Sequence, residues 1–321
     1  MPFCLIAEPI HPIGTAMLKE AGIEVRTARS ADLEQLATEI ADADAVVIRD
    51  ALPAWVMDRA PNLKVIANHG TGTDAVDVAH ATERRIPVVY TPESNVQAVA
   101  EHALMLMLAT ARKVAGADAA TRSGNWGFKY THDLISLWGK TLGVVGFGHT
   151  GKWIARMASG GLGMKVLVWS PSAPPESLEG VTAAESLEDL LARSDVVSLH
   201  RPLRPDTRHT LNATSLACMK PQAIVINTSR GGLIDEPALV AALSSGKLAG
   251  AGLDVFEQEP MSAEHPFAQM SNVVLTPHLA GSTLEALEET ARQCAQGIID
   301  TLAGRRAVNV RNPAVYGDPA G

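Results

Sequence analysis

The chain has 321 residues, 46% hydrophobic and 19% charged, with a formal net charge of -8. That length allows one large or two medium domains, two being the expectation, and the composition excludes a disordered or fibrous chain. The negative balance and the lack of a long Lys/Arg cluster exclude the electrostatic footprint of a nucleic-acid or anionic-membrane binder, so the expected ligand is small.

Short β-branched runs alternate with helix-period segments along nearly the whole chain, the pattern of an α/β fold with parallel strands covered on both faces. The first series of strands is "FCLIA", "IEVRT", "AVVIR", "LKVIAN" and "IPVVY", separated by helical stretches such as "GTAMLKEAG" and "ADLEQLATEI". A long helix-compatible stretch, roughly 96–122, follows and ends in the turn-rich "SGNWG". A domain boundary is placed near residue 98. The second series reads as six strands, "TLGVVG", "KVLVW", "DVVSLH", "AIVIN", "LAGAGLDV" and "NVVLT", enough for a dinucleotide-binding sheet. From Thr283 a final amphipathic helix is expected to return to the first domain, giving domains 1–98 completed by 283–321, and 99–282. No solenoid repeat or low-complexity tract is visible.

Three cysteines, Cys4, Cys218 and Cys294, lie far apart and form no CxxC pair, so thiols in a reducing compartment are expected and neither a disulfide framework nor a zinc site. The start "MPFCLIAEPIHPIG" lacks a basic leader, and "ALMLMLATA" is too short to span a bilayer, so a cytoplasmic location without membrane attachment is expected. No histidine shows metal-ligand spacing, so no metal is expected.

The stretch "GVVGFGHTGKWIA" puts Gly146, Gly148 and Gly151 between a strand and a helix. The first glycine allows a tight turn, the second a close backbone approach to a pyrophosphate, and the third close helix–strand packing, while the helix amino end supplies N–H groups and partial positive charge. The string alone also fits a plain structural turn; the following strand "KVLVW" at βαβ spacing favours a cofactor. An acid that would hold the adenosine ribose and repel a 2′-phosphate normally ends that second strand. Here the residue is Ser170, so NAD or NADP is expected with preference undecided. Arg201, in "SLHRPLRPDT", either lies beside that phosphate position or is a solvated rim residue.

Three further stretches, "INTSRGGLIDE", "GLDVFEQEP" and "LTPHLAGST", place Arg230, Glu259 and His278 just after candidate strands. Each alone has a bland account as a surface charge, a loop carboxylate or a core histidine. Together they match what hydride transfer on a 2-hydroxy acid needs: a guanidinium for a carboxylate, a group titrating near neutrality, and an acid to orient it.

In order and spacing "GFGHTG", "LHRPLRPDTRHTLN", "NTSRGGLIDEPALVAAL", "AGAGLDVFEQEP" and "PHLAGST", with "ANHGTGTDAVD" and "ESNVQAVAEHALMLMLA", resemble the D-isomer-specific 2-hydroxyacid dehydrogenase family, which includes phosphoglycerate dehydrogenase and glyoxylate/hydroxypyruvate reductase relatives. The resemblance implies a Rossmann-type doubly wound sheet plus a smaller flavodoxin-like substrate domain, and an NAD(P)-dependent reaction at C2 of a small 2-hydroxy acid. It implies that Arg230 binds the substrate carboxylate and carbonyl oxygen, that His278 is the general acid/base, and that Glu259 pairs with it. It places His149, Thr150, Ser170, Pro202, Thr207, Thr228, Arg230 and Asp254 along the cofactor, with Asp254 at the nicotinamide amide, and the same stretches add His200, Arg201, Ser229, Ala280 and Gly281. Backbone at Gly70, Thr71 and Gly72 would hold the substrate carboxylate. Glu259 stands where the formate-oxidising relative has glutamine, which argues against formate.

Arg49, ending "AVVIRD", sits where phosphoglycerate-type relatives contact a distal phosphate, and is otherwise a strand-end surface arginine. A second anion on the substrate is thus open, as are glycerate, glyoxylate-derived acids and sulfolactate; the chain stops soon after its last helix, without the long extensions of many phosphoglycerate dehydrogenases. Relatives are commonly homodimers around the linking helix, and closure of the two domains over substrate is expected. The alternative from another class is a dinucleotide-sensing corepressor-like interaction protein. His102 is read as a helix residue lining the cleft or packed in the core, and Trp126 and Trp138 as packing.

Overall fold

Apolar runs too short for helices become strands buried on both faces, and the computed structural model describes them within residues 1–30, 32–171 and 180–317. The chain divides into two compact units, Met1–Asn95 with Ser282–Gly321, and Val96–Gly281. The first unit contains β1 (Phe3–Ile6), α1 (Pro12–Glu20), β2 (Glu24–Thr27), α2 (Leu33–Glu39), β3 (Ala45–Ile48), α3 (Ala54–Met57), β4 (Val65–Asn68), α4 (Val78–Glu83) and β5 (Val88–Val89). The second contains α5 (Val96–Ala111), α6 (Val114–Arg122), α7 (Phe128–Thr131), β6 (Thr141–Val145), α8 (His149–Leu162), β7 (Lys165–Trp169), β8 (Val181–Ala183), α9 (Leu187–Arg193), β9 (Val196–Leu199), α10 (Ala213–Cys218), β10 (Ala223–Asn227), α11 (Glu236–Ser244), β11 (Leu248–Leu253) and β12 (Val273–Leu275). Helix α12 (Leu284–Leu302) closes the first unit.

In the first unit the strands form a parallel five-stranded sheet in the order β2-β1-β3-β4-β5, the flavodoxin-like arrangement. Every residue of β1, β3 and β4 is buried, which is why those strands read as continuous apolar runs instead of alternating ones. Helix α12 starts where the Thr283 hydroxyl accepts from the Ala286 amide, and it buries Ala286, Thr290, Ala291, Cys294, Ala295 and Ile298 at helical spacing against α1, β4 and β5. Gly297 lets it come in close, since a Cβ there would overlap Val89.

The second unit holds a seven-stranded parallel sheet in the order β12-β11-β10-β9-β6-β7-β8. The chain runs outward one way from β6 through β7 to β8 and the other way from β9 to β12, so the strand order reverses between β6 and β9. In open α/β sheets that switch point, at the carboxyl ends, is where ligands bind. Two elements differ from the sequence reading. The sheet has a seventh strand, β8, a three-residue edge strand too short and too exposed to leave a pattern. The helix expected over 96–122 is two helices, broken where Lys113 takes the left-handed conformation at φ 50°. The change of unit comes at Val96, where α5 begins, so that helix belongs whole to the second unit.

Candidate active site

The glycine turn leaves β6 at Gly146, whose φ of 98° is in the region that glycine alone enters freely. A Cβ there would also overlap the His200 carbonyl at the end of β9, so the residue marks the point where β6 and β9 part. At Gly151 a Cβ would collide with the Gly146 carbonyl oxygen, so the turn and the first turn of α8 can close only on glycine. Gly148 is the N-cap of this 14-residue helix, no side chain caps it, and nothing lies within 4 Å of where its Cβ would be. An uncapped helix amino end facing open space, with His149 and Thr150 in its first turn, fits an anion such as a pyrophosphate.

Ser170 follows β7 directly and is half-buried. Beside it the Arg201 guanidinium lies over the Trp169 ring, 5.2 Å from its centroid, and makes a 3.7 Å ion pair with Asp206. Arg201 therefore does come from the end of β9 to the end of β7. The same β9 end carries His200, whose Nε2 is 2.8 Å from the Ser198 hydroxyl and whose Nδ1 is buried without a hydrogen-bond partner. Burial pulls this imidazole down to about 4, so it is neutral. Thr207 holds the following turn: its hydroxyl donates to the Pro202 carbonyl at 2.8 Å and accepts from the Arg204 amide at 2.7 Å.

After β10 the loop is shaped by Asn227, which the sequence reading passed over. Its side chain accepts from the Ser229 amide at 3.0 Å and donates to the Arg230 carbonyl at 2.8 Å. Ser229 ties the loop to β9 by donating to the Leu199 carbonyl at 2.8 Å, and Thr228 Oγ1 is buried without a partner. Gly231 was missed as well: a Cβ there would collide with the Phe256 carbonyl, so this glycine brings the Arg230 loop against the segment after β11. The paired glycines of "SRGG" are the only trace of that contact in the sequence.

That segment carries Glu259. One carboxylate oxygen accepts from the Phe256 amide at 2.9 Å and the other is 2.6 Å from His278 Nδ1. The His278–Glu259 hydrogen bond raises the imidazole pKa above its ordinary value, against burial; nearby Arg230 lowers it and Asp254 adds to the rise. On Glu259 burial acts upward, but the hydrogen bonds from His278 and Phe256 and the charges of His278 and Arg230 bring its carboxyl net below the usual range. The pair thus favours the charged forms, imidazolium and carboxylate, with His278 Nδ1 held by Glu259.

His278 itself sits at φ 50°, in the left-handed region. Asp254 holds it there: its backbone carbonyl accepts from the His278 amide at 2.8 Å, and its fully buried carboxylate accepts from the Leu279 and Ala280 amides at 3.0 and 2.9 Å. The structure thus brings Arg230, Glu259 and His278 together at the carboxyl ends of β10, β11 and β12, in one unit with the glycine turn.

The family model for the D-isomer specific 2-hydroxyacid dehydrogenase, NAD binding domain, matches residues 104–280. The chain belongs to that family. Among the family's proteins, it is 40% identical to the glyoxylate reductase of Thermococcus gammatolerans, over 97% of this chain and 98% of the relative. It is also 40% identical to the D-3-phosphoglycerate dehydrogenase of Methanocaldococcus jannaschii, over 96% of this chain, but spans only 59% of that relative's length. Of solved structures, an NADPH-dependent glyoxylate/hydroxypyruvate reductase of Sinorhizobium meliloti, in complex with NADP and malonate, superposes with a TM-score of 0.87 at 32% identity, covering 96% of each chain.

In the first unit, Arg49 follows β3 and is exposed; its amide donates to Glu8 at 2.8 Å and its guanidinium to the Pro9 carbonyl at 3.3 Å. The Gly70, Thr71, Gly72 loop after β4 is drawn tight by Asn68, whose side-chain amide donates to the Gly70 and Gly72 carbonyls at 3.1 and 2.9 Å. Asn68 is a third shaping residue that sequence reasoning missed. Among the described residues there is no cluster of His, Cys, Asp or Glu that could hold a metal, and no helix long and apolar enough to cross a membrane.

Proposed function

We propose that the protein is an NAD(P)-dependent 2-hydroxyacid dehydrogenase working as a 2-keto acid reductase, with the first unit as substrate domain and the second as coenzyme domain. The observation that carries this reading is the 2.6 Å His278–Glu259 pair, with Arg230's charge acting on both, in the same unit as the glycine turn. Gly146, Gly148, Gly151, His149 and Thr150 hold the pyrophosphate; Ser170, Arg201 and Pro202 border the adenosine ribose; His200, Thr207, Thr228, Ser229, Asp254, Ala280 and Gly281 line the remaining length. The buried, unpartnered Thr228 Oγ1 and His200 Nδ1 support that placement. When bound there, a nicotinamide coenzyme would supply or accept the hydride at C2.

The protein's own contribution is charge and proton. Arg230, in the coenzyme domain, is assigned to the substrate carboxylate and carbonyl oxygen, and backbone at Gly70, Thr71 and Gly72, in the substrate domain, to carboxylate binding. His278 enters reduction as the imidazolium, gives its Nε2 proton to the developing alkoxide, and relies on Glu259 to keep its basicity high; in oxidation the neutral ring takes the proton back. Arg201 over the Trp169 ring, beside Ser170 in place of the usual acid, supports acceptance of NADP as well as NAD, although Asp206 already pairs with that guanidinium. Arg49 is assigned to a second anionic group on the substrate. Cys4 and Cys294, free thiols in the core, accord with a cytoplasmic location, and a homodimer is proposed. The relatives named above are reductases and a dehydrogenase, which favours the enzyme over a corepressor-like interaction protein.

The test is absorbance at 340 nm with NADH and NADPH against glyoxylate, hydroxypyruvate, phosphohydroxypyruvate and sulfopyruvate. Turnover of at least one keto acid is expected, with kcat/KM for NADPH within about tenfold of that for NADH. No turnover of any 2-keto acid with either coenzyme would overturn the reading.

A further inference from the structure

We infer that His102, on α5, is a positioning residue of the reaction: it donates Nε2–H to Thr276 and through it braces the Asp254 clamp under His278. The inference rests on the 2-keto acid reductase reading above. Thr276 Oγ1 has one proton and gives it to Asp254 Oδ1 at 2.6 Å. The His102 Nε2 lies 2.9 Å from the same Oγ1, which has only lone pairs left to offer, so the ring must be the donor. The order of donation is His102 to Thr276 to Asp254, and it fixes the His102 tautomer. His102 Nε2 is also 3.5 Å from Asp254 Oδ1, and its side chain is 11% exposed.

Asp254 passes this bracing on. Its carboxylate and carbonyl hold the amides of His278, Leu279 and Ala280, so the turn on which His278 adopts φ 50° has the clamp as its support. Left-handed backbone at a non-glycine residue persists only where its surroundings over-determine it. The chain of groups exists because α5 packs directly on the glycines of β11. Gly250 and Gly252 leave no room there for a side chain: a Cβ at Gly252 would be 2.9 Å from Leu106 Cβ, and one at Gly250 would be 2.8 Å from Thr110 Cγ2.

The charged group facing His102 is Asp254; beyond it stand His278, then Glu259 and Arg230. Burial lowers the His102 pKa and Asp254 partly opposes this, which keeps the ring a neutral donor. A histidine that merely filled space would be replaceable by an apolar side chain of similar reach. A donor that braces the turn would not be, and its loss would loosen the His278–Glu259 pairing and let the His278 pKa fall.

The experiment compares His102→Met, His102→Gln and Thr276→Val with wild type in two ways. The first is the His278 titration followed by ¹H–¹⁵N NMR in coenzyme-free protein. The second is kcat and KM for glyoxylate or hydroxypyruvate reduction across pH, with NADH or NADPH saturating. Expected are a kcat about 10- to 100-fold lower in His102→Met with KM little changed, a His278 titration and alkaline kcat limb both moved to lower pH, and recovery of most of kcat and of the limb in His102→Gln. Thr276→Val, which keeps the volume, should reproduce the His102→Met shift and serves where that variant does not fold. Wild-type kcat and titration in His102→Met or in Thr276→Val overturns the inference, as does equal impairment of His102→Met and His102→Gln. A wild type that reduces no keto acid overturns instead the reading beneath it, and the NMR titration still reports whether His102 holds the His278 pKa.

Discussion

At the level of single residues the site turns on the hydrogen bond between His278 and Glu259. The hydrogen bond that His278 donates to Glu259 is the largest cause of the imidazole's raised pKa, so Glu259→Gln should lower it, and with it the pH at which keto acid reduction fails. Reduction needs the imidazolium, present below the His278 pKa and lost as pH rises through it. The alkaline limb of kcat/KM should therefore lie above the ordinary histidine range in wild type and move down in Glu259→Gln, with kcat about 100-fold lower. A limb unmoved by the substitution would remove Glu259 from this role. His278→Ala should lose about 10²- to 10⁴-fold in kcat while NADPH still binds by fluorescence titration. Arg230, Glu259 and His278 could be picked out from the sequence because each lies shortly after a candidate strand and the three together match one chemistry and one family's signature stretches. Asn227, Asn68 and Gly231 could not: they act by holding backbone or by vacating space, and such roles depend on loops distant in the chain.

Between elements, the close packing of α5 on β11 is what a substitution tests. Gly252→Val puts two methyl groups among Leu106, Ile226 and Thr110, where even a single Cβ would be 2.9 to 3.2 Å from each. Overpacking of this kind costs about 1–3 kcal/mol, so the variant should unfold several degrees lower in calorimetry and lose kcat, since α5 carries His102. Thermal stability equal to wild type would show that α5 gives way freely. Most elements were legible because buried parallel strands leave unbroken apolar runs, as "AVVI" and "AIVIN" do. The exceptions have local causes. Val181–Ala183 is a three-residue edge strand with no buried face. The break at Lys113 falls among residues that suit a helix, and no glycine or proline announces it.

For the whole molecule, the segment from α6 to Trp138 stands out as poorly packed. Neither α6 nor α7 buries a single residue, although they are nine and four residues long and helices of that size are marginal in water without packing. Trp126 and Tyr130 are 73% and 81% exposed, with Trp138, Leu134 and Val114 also open. Large apolar side chains left open over one stretch of chain are candidates for cover by a partner. A second copy of the chain covering this segment would bury them and give α6 the packing it lacks, which is the physical ground for the proposed homodimer. Sedimentation should then report twice 33.8 kDa for wild type. Trp126→Asp with Tyr130→Asp should shift it to the monomer, because a carboxylate buried in an interface without a partner is strongly unfavourable. A wild type that sediments as a monomer at micromolar concentration would leave this segment without its proposed cover, and α6 should then exchange its amide protons as fast as a frayed helix.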